Sequence, residues 1–524
     1  MGFAVKRRGL GATAILAALT AAIFAVMAIA ASIAQGQATP PEPERPSEYQ
    51  GHGSERHNLR LVGSHPLDGR SSYQPLTRRN AVNGRWYLYV GHHAGEARNS
   101  LTGQMEDNGT SILDVTNPRR PRLVRHIPAT DVAGAPNQRQ AQMVRVCNGI
   151  DLPEGDEDKV YMLRSNGSVS HELWDVTNPA QATLIRTLVS GLQGTHKNEW
   201  NCESGLAYLV SGVEGWGTER MTQVFDLSDP DNLGPDNGFI RNFGLPGQQP
   251  GGSDPTSQYG LHGGLQVGNR LYNGYGTSAN GVFQILDVEK LVTGAAEPTD
   301  ENLLSPQVSR INLPRYMGAH TTFPVLGIPV RADRDFYWDT RDIAVISNES
   351  TANECREAHQ QVFLVDITDE LNPFGISNYK VPESEGNFCE RGGRFGAHSS
   401  NENFTDEYYR KIVFIAYFNA GIRAVDIRDP FNPREVGKYI PATTENTAER
   451  CVDLNDDDVD DRCKIAIQTN NLDTDDREYV YAVDRANTGV HIVTVTGEAR
   501  RIMESTVRPN PDDETPTFEE LEGE

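Results

Sequence analysis

Runs of four to eight apolar residues recur along the chain, broken by clusters of Gly, Pro, Asn and Asp, and one pattern repeats. SILDVTNPRRPRLVRHIPA begins at Ser111, ELWDVTNPAQATLIRTLVSG at Glu172 and QVFDLSDPDN at Gln223. FQILDVEK begins at Phe283, VFLVDITDELNPFGISNYKVP at Val362 and IRAVDIRDPFNPREVGKYIPA at Ile422. GVHIVTVTGEARRI, at Gly489, is a degenerate seventh copy. In each, β-branched and aliphatic residues form a strand. An Asp ends it, an Asn-Pro or Asp-Pro turn follows, and a second apolar strand returns. The aligned residues are Asp114, Asp175, Asp226, Asp287, Asp366, Asp426 and Thr494. Two further strand-like runs precede a copy, such as WYLYVG (86–91) and KIVFIAYF (411–418).

That makes about four antiparallel strands per repeat. A single such sheet cannot bury both faces, so the copies must stack. The predicted fold is all-β: a seven-bladed β-propeller of four-stranded antiparallel blades over residues 58–506. The copies stand 51 to 79 residues apart, against ~40–50 per ordinary blade. The excess sits in Gly-, Pro- and acid-rich insertions such as 244–260 and 324–342. NLRLVGSH (58–65) reads like the outer strand PRLVRHIP but has no inner strands before it. It is expected to join the last blade and close the ring; the alternative is a private N-terminal hairpin.

ILDVTNP, LWDVTNP and AVDIRDP resemble the LVIVD repeat of bacterial exported propellers, over roughly residues 58–505. The resemblance implies the propeller and export, and carries little about chemistry. The fourth copy, where Val-Glu-Lys follows Asp287, and the seventh, with Thr494, depart from it.

Composition adds the compartment. Residues 1–10 carry three positive charges, and no charge occurs from Ala12 to Ala34. Residues 1–35 therefore read as a signal peptide, or as an uncleaved N-terminal anchor, since the run is long enough to span a bilayer. The expected location is periplasmic or extracellular, with membrane attachment only through that segment. Residues 36–57 read as a disordered linker and 507–524 as an acidic disordered tail. Lys and Arg total 48 against 72 Asp and Glu, a net −24. Such a surface repels phosphate backbones, so no nucleic-acid partner is expected. Six cysteines suit an oxidising compartment. Six cysteines allow 15 pairings; the local ones, Cys147 with Cys202, Cys355 with Cys389 and Cys451 with Cys463, are expected, the alternative being that one or two are buried thiols.

Chemistry enters through a second periodic feature. Gly194-Thr-His196, Gly260-Leu-His262, Gly318-Ala-His320 and Gly396-Ala-His398 open four successive repeats. Blade-opening strands lie nearest a propeller's axis, so equivalent residues on them face one channel mouth. Four imidazoles there suit iron, copper or zinc and leave coordination positions open. By architecture alone, this resembles the four-histidine iron centre of carotenoid-cleaving propeller oxygenases. A looser parallel is the copper-dependent thiol oxidases of the selenium-binding protein type. Glu199, Glu349 and Glu402 lie close in sequence and are expected to orient the ring N–H groups. His92 and His93 are further candidates. The alternative is structural: each histidine bonds a backbone group without metal.

A second candidate is Cys451–Cys463. Asp453, Asn455, Asp457 and Asp461 stand at relative positions 1, 3, 5 and 9, with the Val459 carbonyl at 7. This spacing resembles thrombospondin type 3 and EF-type calcium loops, although Asp458 stands where those have Gly. A solvated acidic loop is the alternative.

Two functions remain open. One is a binding platform whose loops hold a small molecule, glycan or protein, with a metal at the channel mouth. The other is an iron- or copper-dependent oxidoreductase on the four histidines. A calcium-dependent hydrolase is the weakest reading.

Overall fold

The structure is a computed structural model that describes residues 51–130, 139–253, 260–331 and 338–506. The signal or anchor, most of the linker and the acidic tail lie outside the described residues. No described helix is long and apolar enough to cross a membrane.

Seven four-stranded antiparallel sheets follow one another along the chain. Blade 1 opens at Ser72–Arg79, blade 2 at Val144–Asn148, blade 3 at Asn198–Trp200 and blade 4 at Leu261–Val267. Blades 5, 6 and 7 open at Thr321–Arg331, Ser399–Ser400 and Thr469–Thr474. The repeat motif is the third strand of each, as in Gly109–Asp114 and Ile422–Asp426.

The turn chemistry is the same in five blades. The Asp at the strand end accepts a hydrogen bond from the backbone N–H two residues on. Asp114 bonds Thr116 at 3.0 Å, Asp175 bonds Thr177 at 2.9 Å and Asp226 bonds Ser228 at 3.0 Å. Asp366 bonds Thr368 at 2.9 Å and Asp426 bonds Arg428 at 3.1 Å. The fourth copy departs for a visible reason. Asp287 caps helix Val288–Thr293, accepting from the Lys290 N–H at 2.9 Å.

The core lies between blades, in a series of apolar clusters. Leu163 and Leu173 of blade 2 pack with Ala207 and Leu209 of blade 3. Phe283 and Ile285 of blade 4 pack with Ala344 and Ile346 of blade 5. The last interface returns to the first blade: Leu88 and Val90 pack with Tyr481, Val483 and Ile492. That contact makes the array a ring.

Closure is by the N-terminal strand. Leu59–His65 pairs antiparallel with Gly489–Val495, running from Leu59 opposite Val495 to His65 opposite Val490. It is the outermost strand of blade 7. The segment read as linker contributes as well, because Glu55–His57 pairs with Arg434–Ile440 as a fifth strand on blade 6.

Cys147 is bonded to Cys202 and Cys355 to Cys389; Cys451 and Cys463 are disulfide-bonded too. The first bridge stitches blade 2 to blade 3.

Candidate functional site

The four Gly-x-His units converge at one mouth of the channel. Three of them begin with a turn that needs glycine or admits no side chain; Gly260 is the exception, with open space around it. Gly194 has φ of +57°, and a Cβ on Gly318 would sit 1.8 Å from the Thr277 carbonyl oxygen. The backbone then locks onto the second strand of its own blade. His196 N–H donates to Val210 O, His320 N–H to Ser347 O and His398 N–H to Ala416 O, at 2.9–3.1 Å. In blade 4 the ladder shifts register between Leu261 and Gly263. This bulge turns His262 toward its neighbours.

The imidazoles form a chain. Ring centroids are 4.9 Å apart for His196 and His262, 3.5 Å for His262 and His320, and 4.2 Å for His320 and His398. The Nε2 atoms of His196 and His262 are 3.0 Å apart. Ring orientation is fixed from behind. His196 Nδ1–H donates to Gln142 Oε1. His398 Nδ1–H donates to the Asn470 carbonyl at 2.6 Å. Both bonds leave Nε2 with its lone pair facing the cluster when the ring is neutral. His320 Nδ1 meets Thr321 Oγ1 at 2.9 Å, and its buried Nε2 has no hydrogen-bond partner among the described residues.

Burial drives all four imidazole pKa values well below the usual histidine range. Neighbouring cations push the same way: Arg220 at His196 and Arg485 at His398. The rings are therefore neutral at pH 7, the form that binds metal.

Of the three glutamates, the structure brings one here. Glu349 lies 3.8 Å from both His320 Nε2 and His398 Nε2. It also accepts from Arg394 Nη1 at 2.9 Å. Glu199 and Glu402 do not orient the rings, and that expectation is corrected. Each follows its histidine along an extended strand, at ~3.3 Å per residue, so it stands about 10 Å or more down the channel. There Glu199 and Glu402 each bond Arg145 at 2.6 Å, and Glu402 bonds Lys197. These groups line a second cavity of about 700 Å³ that also includes Asp473, Trp86 and Arg78.

His93 lines the histidine cavity, whereas His92 is held inside blade 1 by Ser72 and Ser111. The sequence reading missed Tyr73. Its hydroxyl lies 3.1 Å from His196 Nε2 and 3.4 Å from His262 Nε2. The feature that marks it is a strand register, visible only in the structure. Ser72, Leu261 and Thr469 each pair with the end of a second strand just before a register shift. The following residues, Tyr73, His262 and Asn470, therefore share one position.

A metal would fit the cluster. Two nitrogens on one ion at ~2.1 Å stand about 3.0–3.4 Å apart, and the 3.0 Å pair lies in that range. The unpartnered His320 Nε2 stands instead beside Glu349, at 3.8 Å. His320, Glu349 and His398 also present ligand atoms within 4.8 Å of one another. The cluster forms the floor of a cavity of about 570 Å³, rimmed by Gln140, Ser168, Arg220 and Arg485.

In the acidic loop, Asp453 accepts from the backbone N–H groups of Asn455, Asp456 and Asp458, and Asp457 from that of Val459. Asp461 accepts from Leu454 N–H at 2.6 Å. Asp458 has φ of +62°, the left-handed conformation that glycine holds in the loops it resembles. Trp200 is buried core between blades 2 and 3.

No family model matches the chain, and no curated protein matches it. Among solved structures, it is similar to the β-propeller domain of Myceliophteria thermophila Cps50 (Swd1), at 8% identity and a TM-score of 0.44. That likeness covers 84% of this chain and 100% of that one.

Proposed function

We propose that this chain is an exported propeller of the LVIVD-repeat type. In this reading it holds a transition metal on His196, His262, His320 and His398 and binds a small molecule over it. The observation that carries the reading is the packing of four neutral imidazoles, two with Nε2 atoms 3.0 Å apart, under one open cavity. Structural histidines elsewhere in the chain behave differently. His92 and His126 each bond hydroxyl or carbonyl groups through both ring nitrogens. Three disulfides are compatible with export.

Bound metal supplies Lewis acidity and, as iron or copper, one-electron chemistry. The chain's own residues hold the rings of His196 and His398 in one tautomer through Gln142 and Asn470, and all four rings are buried. The second reading is an iron- or copper-dependent oxidoreductase. The absence of any thiolate in the cluster favours it, since nitrogen donors with open positions suit substrate or O₂.

Elemental analysis of untagged protein tests the first reading. About one iron, copper or zinc per chain is expected, falling at least tenfold in His320→Ala with an unchanged circular dichroism spectrum. Wild-type protein that takes up no transition metal after chelation and reloading overturns it. Oxygen uptake by iron- or copper-loaded protein in the presence of substrates separates the two readings.

A further inference from the structure

Two arginines stand at the histidine mouth of a chain whose net charge is −24. Arg220 and Arg485 both line the cavity, on different sides of the cluster. Arg220 stands toward His196, and Arg485 toward His93 and His398. Neither has a close carboxylate among the described residues. The side chain of Arg220 makes one hydrogen bond, from Nε to Gly194 O at 3.2 Å. Arg485 reaches only a 3.8 Å contact with Glu349 Oε1. That oxygen is already taken by Arg394 at 2.9 Å. Glu219, the other acid of the lining, is exposed at the rim.

We propose that Arg220 and Arg485 clasp the oxyanion of a small organic acid, a carboxylate, over the histidine cluster. Two partly buried guanidinium groups with no carboxylate nearer than 3.8 Å are costly, and an anion between them lowers the cost. Guanidinium is also the side chain whose planar fork matches carboxylate geometry. Gln140 and Ser168, beside the arginines, add neutral donors. The cavity of about 570 Å³ leaves room for an organic body beyond the anion itself. A metal on the histidines would add positive charge and strengthen the preference. The proposal names a ligand class for the metal reading and rests on it for where the ligand's reactive part sits. The two arginines themselves belong to the protein, with or without a metal.

Burial and the neighbouring Arg394 charge lower the Arg485 pKa to about 9. Arg485 is therefore a cation at pH 7, and a bound anion would raise its pKa.

The test is calorimetric titration with benzoate and, separately, phenyl phosphate at fixed ionic strength, on metal-loaded and on chelator-treated protein. Benzoate is expected to bind in the millimolar range or tighter, ahead of chloride. Arg485→Gln and Arg220→Gln are each expected to weaken binding about tenfold or more. Two variants on different loops guard against one that fails to fold, and a melting curve checks each. Binding of phenyl phosphate but not benzoate would overturn the carboxylate assignment. Binding of neither, or equal binding by wild type and both folded variants, would overturn the clasp. Benzoate binding by protein that takes up no metal would sustain the clasp while ending the metal reading. Metal uptake without benzoate binding would do the reverse.

Discussion

Asp114, Asp175, Asp226, Asp366 and Asp426 show how a single side chain sets the end of a strand, each closing its turn on the N–H two residues on. Replacing one removes that acceptor without disturbing the blade core. Asp366→Ala is expected to lower unfolding stability by about 0.5–1.5 kcal/mol, measured from the urea midpoint. Buried histidines set the response to pH. His126 is pushed down to about 4, mostly by burial and next by the Arg70 charge. Burial alone pushes His491 to about 4 and His171 to about 3. Their folded values lie below the unfolded 6.5, so the unfolded chain takes up protons first. Stability is full above pH 6.5 and falls as the pH drops toward 4, by roughly 2 kcal/mol per such histidine at pH 5. Asp473, pushed up to about 7 by burial, has the opposite sign. Its folded form keeps a proton that the unfolded form has released above pH 4, but it opposes several histidines. The urea midpoint should therefore fall clearly between pH 7 and 5, and His171→Gln should make the fall shallower. A midpoint that stays flat over that range would contradict the burial of these rings.

At the scale of elements, two neighbouring N-terminal strands have unequal weight. Glu55–His57 lies on the edge of blade 6, with its side chains mostly exposed. Leu59–His65 completes blade 7, and Leu59 is buried against Val493, Val495 and Ile502. Starting the chain at residue 58 should shift the melting temperature by about 2 °C or less. Starting it at 67 should abolish the single cooperative transition, because blade 7 would lose its outer strand and its closing contact. Calorimetry of the two truncations checks this, and equal melting curves would mean that the ring does not depend on the closing strand.

Across the whole molecule, the ring depends on every blade interface at once, and covalent links reinforce it. The Cys147–Cys202 bridge closes a 55-residue separation between blades 2 and 3, and Cys355–Cys389 closes one of 34. Loop-closure entropy assigns each about 4 kcal/mol. The double variant Cys147→Ser/Cys202→Ser is expected to unfold at lower urea than wild type. Wild type held in reducing buffer should show the same direction, to a larger extent.

The repeat, its blade count, the turn aspartates and the closing strand were all legible in the chain, because each depends on local pattern. Strand periodicity, Asx turns and a stranded outer strand at residues 58–65 leave marks within about twenty residues. The histidine cluster was half legible: the Gly-x-His recurrence named its members and their common mouth. Only the tertiary structure could decide which acids and rings share that mouth. Closeness in sequence suggested Glu199 and Glu402, but an extended strand carries them down the channel to Arg145 and Lys197. Glu349, named in the sequence, does reach the mouth, whereas Tyr73, Arg220 and Arg485 arrive from other loops that the sequence did not single out. Their approach depends on how seven sheets close around an axis, a long-range constraint that no local window of residues encodes.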